Sequence, residues 1–91
     1  MAIRHRLVGV TTEPTLLIAR PHGRADLYLL NAGGDTVYLG GPGEILADAG
    51  LPLPPGQTLS LPDFEASGGP DGGLYAVAVA GTVNVRMLIA D

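Results

Sequence analysis

The chain contains no cysteine, no tryptophan and no lysine, and serine occurs only at Ser60 and Ser67. Without cysteine there is neither a disulfide framework nor a thiolate zinc site, so stability must come from packing. Five arginines against nine carboxylates leave a formal charge of −4. That balance argues against nucleic acid, because phosphate binding is carried by clustered Lys and Arg. Only Arg4 and Arg6, with His5 between them, approach a cluster. Aromatic residues make up 4% of the chain, too few to supply stacking platforms for single-stranded nucleic acid or sugars. No apolar run reaches the roughly 20 residues of a membrane span, and the N-terminus lacks the apolar core of a signal peptide. A soluble protein made in the cytoplasm, with no membrane partner, is the expectation. At 91 residues the chain is one domain, 1–91, with one thin core. A sizeable cleft would have to come from loops or from a second subunit.

What is abundant is strand grammar and turn chemistry. Ile3–Thr11 (IRHRLVGVT) alternates Ile3, His5 and Leu7 against Arg4, Arg6 and Val8, a period of two. Thr15–Arg20 follows the Glu13-Pro14 break, and Pro21-His22-Gly23 turns the chain into Arg24–Asn31 (RADLYLLN). The Asn31-Ala-Gly-Gly-Asp35 turn and the Thr36–Leu39 return make residues 24–40 read as a β-hairpin. Gln57–Leu61 alternates, with Leu59 and Leu61 inward. The runs Leu74–Ala80 and Thr82–Ala90 are joined at Gly81, and Val83, Val85, Met87 and Ile89 share a face. The alanines alternating with Val77 and Val79 suggest close backbone approach. This is an all-β pattern: an antiparallel β-sandwich or barrel of about seven short strands. One short helical turn at 44–49 (EILADA), closed by Gly50, is the most helix expected. The glycine-rich segment Ala66–Gly73 reads as a mobile loop.

Candidate chemistry fails position by position. Gly40-Gly41-Pro42-Gly43 resembles a phosphate cradle, but a P-loop continues into Lys-Ser/Thr, and here Glu44 and Ile45 follow. The three glycines also miss the dinucleotide spacing, and no real helix follows. His5 and His22 lie on different elements; His5 reads as a half-buried or interface histidine and His22 as an exposed turn residue. Asp63, Glu65 and Asp71 lack calcium-loop spacing. Neither serine sits in a nucleophile elbow, and no carboxylate pair can be assigned to glycoside chemistry. No catalytic, cofactor or metal residue is identified, and the chain reads as a non-enzyme.

The remaining signal is apolar. Leu46, Leu51, Leu53, Pro52, Pro54 and Pro55 fall in a connection, where they either lid the core or form a patch for a neighbour. Proline would preorganise such a patch and lower the entropy lost on binding.

The order LYLLN–AGGDTVYLGGPGEILADAGLPLPPGQTLSLP, a loop, then LYAVAVAGTVNVRMLIA resembles small β-sandwich proteins encoded among the virion structural genes of tailed bacteriophages and related phage-like particles. The matching positions are Asn31, Val37 to Gly41, Gly50 to Leu53, Pro55-Gly56 with Leu59 and Leu61, and a closing hairpin from Leu74 to Leu88. The resemblance covers residues 25–89. It implies a head-associated structural role at the virion capsid surface (decoration, cement or spike base), binding major capsid protein and self-associating. The expected contacts are Ile3, Arg4, His5, Arg6 and Leu7 on the first strand, and Leu46, Leu51, Leu53, Pro54 and Pro55 on the connection. Two alternatives stay open. One is a glycan-binding surface module using Tyr28, Tyr38 or Tyr75; the other is a small neck or tail component.

Overall fold

A computed structural model describes residues 3–19, 25–41, 50–64 and 73–90. These residues form eight strands: β1 (Ile3–Val10), β2 (Thr15–Ala19), β3 (Ala25–Asn31), β4 (Val37–Gly40), β5 (Leu51–Leu53), β6 (Thr58–Phe64), β7 (Gly73–Ala78) and β8 (Val83–Ala90). They build two four-stranded antiparallel sheets, in the orders β1-β8-β3-β6 and β2-β7-β4-β5. The protein is a β-sandwich. The expected helical turn at 44–49, Leu46, the Pro21-His22-Gly23 turn and residues 66–72 of the glycine-rich segment lie outside the described residues.

The pairing is nested. First pairs with last, second with seventh, third with sixth and fourth with fifth, and these pairs alternate between the sheets. Eight strands wound in this way are the jelly-roll arrangement. The additional strand relative to the sequence reading is β5, which lies in the proline-rich connection and pairs with β4 through Val37–Leu53 and Leu39–Leu51.

Two expected hairpins are corrected. β3 and β4 stand in different sheets, as do β7 and β8, so neither 24–40 nor 74–88 is a hairpin. The turns do reverse the chain, but they carry it across to the facing sheet. Alternation fixes which face of a strand meets the core, not which strand lies beside it, so stacking and pairing satisfy the same pattern.

The core lies between the sheets. Val10, Leu27, Leu29, Val83, Val85, Met87 and Ile89 point in from the first, and Leu17, Ile18, Val37, Leu39, Leu53, Leu74, Ala76 and Ala78 from the second. Each fully buried large aliphatic side chain among them contributes about 1.5–3 kcal/mol. The two alanines place small side chains opposite the other sheet, as their alternation suggested. Leu17 and Ile18 are consecutive yet both buried, because β2 carries an extra residue between its pairings Leu16–Tyr75 and Ile18–Leu74. A bulge turns both side chains inward.

Asn31 ties the sheets together. Its side chain is polar and fully buried in the core, and its Nδ2 donates to the carbonyl oxygens of Asp35 and Leu53, each at 2.8 Å. Its Oδ1 accepts from the Gly33 N–H at 2.9 Å, which closes the turn after β3. Its backbone accepts from the Gly56 N–H at 2.8 Å. Gly56 has φ of 77° and follows Pro55 in a turn closed by Gln57 N–H donating to the Pro54 carbonyl at 3.1 Å. Pro then Gly at the centre is the type II turn, which requires that positive φ.

Candidate functional site

The outer face of the β1-β8-β3-β6 sheet gathers most of the exposed large apolar side chains. The register builds it row by row. His5 stands beside Leu88, Leu88 beside Tyr28, and Tyr28 beside Ser60. The adjacent row runs Leu7, Arg86, Leu30, Thr58, and Ile3 stands beside Ala90 at the end of β1. Ile3, Leu7, Tyr28 and Leu88 are 69%, 61%, 47% and 48% exposed, values that leave about half or more of each apolar side chain in water. An open depression of about 750 Å³ spans this face across all four strands.

A sheet with one solvated face ordinarily presents polar residues there. Here β8 begins that pattern with Asn84 and Arg86 and then breaks it with Leu88, and β3 follows Asp26 with Tyr28 and Leu30 on the same face. A grouped apolar patch on a small domain marks an interaction surface. Arg86 stands on this face beside Leu7 and Leu30, and no carboxylate lines the depression.

The residues expected at a partner contact separate into three groups. Ile3, Arg4, His5, Arg6 and Leu7 are exposed, and His5, Arg6 and Leu7 line the depression. His5 is exposed, not half-buried, because β1 turns its Ile3-His5-Leu7 face outward and sends only Val8 and Val10 toward the core. Leu51, Pro54 and Pro55 are exposed at the β5 end of the other sheet. Leu53 is 4% exposed and belongs to the core, whereas Leu51, on the same face at the start of β5, is 57% exposed. Leu46 lies outside the described residues. Sequence reading did not single out Leu30, Arg86 and Leu88 as part of a site; the signal available was the apolar interruption at Leu88.

Among the three tyrosines, Tyr28 is exposed on this face, and Tyr38 and Tyr75 are half-buried on the other sheet. Among the described residues no group of three or more His, Asp or Glu side chains could hold a metal ion. Nor is any helix among them long and apolar enough to cross a membrane. No protein-family model, no curated protein and no solved structure matches this chain.

Proposed function

We propose that this chain is a non-enzymatic virion structural protein that binds the capsid surface as a decoration, cement or spike-base protein. The observation that carries the binding role is the exposed apolar group Ile3, Leu7, Tyr28 and Leu88 on one sheet face. The virion assignment leans on the sequence resemblance of residues 25–89. The jelly-roll topology is in keeping with it, since that fold hosts viral capsid domains, although it hosts lectins equally and does not choose between them. On this reading the outer face of β1-β8-β3-β6 contacts major capsid protein, and copies of the chain associate on the particle.

Co-sedimentation of labelled protein with particles of the parent virus tests it. Saturation at high copy number per particle places the protein on the capsid surface, and saturation at a few copies places it at a vertex, neck or tail. The double variant Tyr28→Ser, Leu88→Ser should fold and lose most of the particle binding. A well-folded wild-type sample that does not bind refutes the capsid assignment. A signal from the same sample on a glycan array, lost in Tyr28→Ala, would put the glycan module in its place.

A further inference from the structure

Sheet edges carry unpaired backbone N–H and C=O groups, and soluble proteins normally blunt them with proline, bulges or short strands, or guard them with charged side chains. This sandwich has four edges, and three are blunted. β2 carries the bulge at Leu17. β5 is three residues long with Pro52 at its centre. β6 contains Pro62, and its pairing with β3 slips between Ala25–Phe64 and Leu27–Leu61. The fourth edge, β1, carries no further strand among the described residues and is guarded by charge alone, through Arg4 and Arg6. It pairs with β8 alone, in unbroken register over eight residues from Ile3–Ala90 to Val10–Val83, with neither proline nor bulge. In an antiparallel pair, alternate residues of such a strand turn their N–H and C=O away from the neighbour.

The side chains of β1 say what could add there. Its outward face carries Ile3, His5 and Leu7, continuous with the apolar depression. Its other face carries Arg4, Arg6, Val8 and Val10, and the strand contains no carboxylate. A second copy pairing β1 with β1 antiparallel must keep like faces together. The register that sets Ile3 against Leu7 then sets Arg4 against Arg6, and every other such register sets arginine against arginine or valine. Like charges directly opposite destabilise a pair, and unlike charges support it. Self-pairing is thus opposed by the residues that would welcome an acidic strand.

We infer that the β1 edge is a strand-acceptor site for an extended segment of a partner protein that alternates apolar and acidic residues. The segment adds as a fifth strand beside β1. Its backbone meets the β1 edge, its apolar side chains extend the Ile3–Leu7–Leu88 surface, and its carboxylates face Arg6. Main-chain hydrogen bonds supply affinity in this mode, and alternate side chains supply specificity. This deepens the protein-binding role proposed above and does not depend on the partner being capsid protein.

The test uses the whole chain, isotope-labelled, titrated with a capped hexapeptide alternating valine and glutamate. The control peptide has lysine in place of glutamate. The glutamate peptide should shift the β1 amide resonances in a saturable way, slow their hydrogen exchange, and bind about three- to tenfold more tightly than the lysine peptide. The net charge of −4 would by itself favour the lysine peptide, so this order reports the local charges. Arg6→Glu, at an exposed position, should reverse the preference, and Arg6→Ser should abolish it. Equal binding of both peptides, shifts confined to β2, β5 or β6, or no binding at all overturns the inference. Particle binding without peptide binding overturns it while leaving the capsid reading intact. Peptide binding without particle binding does the reverse.

Discussion

Replacing Asn31 probes a place where a side chain joins the two sheets. Asn31→Ala removes three hydrogen bonds. The Leu53 carbonyl is left without its partner in a buried site, and the Asp35 carbonyl and Gly33 N–H lose theirs in part-buried ones. A buried group left unsatisfied costs about 1–3 kcal/mol, and each part-buried bond contributes about 0.5–1.5 kcal/mol. The sum is about 4 kcal/mol, against about 5–14 kcal/mol for a domain of this length. At about 4–8 °C per kcal/mol, the melting temperature should fall by about 15–30 °C. Asn31→Asp refines the test, because it keeps an acceptor for Gly33 but presents oxygen to both carbonyls. Burial beside those carbonyls raises the folded-state pKa of the introduced carboxyl above its unfolded value. The protonated form, which can donate, therefore supports the fold below the unfolded-state pKa, and that support is lost as pH rises through the folded-state pKa. Relative to wild type, the Asn31→Asp deficit should be largest at neutral pH and shrink on lowering the pH toward about 4. Urea unfolding followed by far-ultraviolet circular dichroism at both pH values measures this. A loss below about 1 kcal/mol in Asn31→Ala, or a pH-independent deficit in Asn31→Asp, would refute the bridging role.

The two glycines of the same turn should behave differently under thermal denaturation. A Cβ at Gly33 would stand 2.6 Å from Val83 Cγ1 and 3.3 Å from the Asn84 amide nitrogen, so Gly33→Ala should cost about 1–3 kcal/mol. Gly34 has open space around it, and Gly34→Ala should stay within about 0.5 kcal/mol of wild type. Gly56→Ala, at φ 77°, should cost about 1–2 kcal/mol in the same assay, with Gly56→Asn costing less. In urea titrations Leu53→Ala should lose about 2–5 kcal/mol and Leu51→Ser less than about 0.5 kcal/mol; equal losses would show that Leu51 also belongs to the core.

Local chemistry determined a good deal here. The all-β class, the inward sets Leu59/Leu61 and Val83/Val85/Met87/Ile89, and the turns at Asn31–Asp35 and Pro54–Gln57 follow from period two and from the conformations that glycine, proline and asparagine allow. Those are properties of a few neighbouring residues, so they survive reading one residue after another. Only the tertiary structure decided which strand lies beside which, because β3 followed by a turn and β4 fits a hairpin and a crossover equally well. Only it could separate Leu51 from Leu53, since β5 becomes a strand through pairing with β4, not through its own propensity. The second partner of Asn31 lies 22 residues away, at Leu53, and no local pattern announces it. The outer face was hidden for the same reason. Ile3 and Leu7 come from the start of the chain, Tyr28 from the first third and Leu88 from the end, and only the nested pairing of first strand with last sets them side by side.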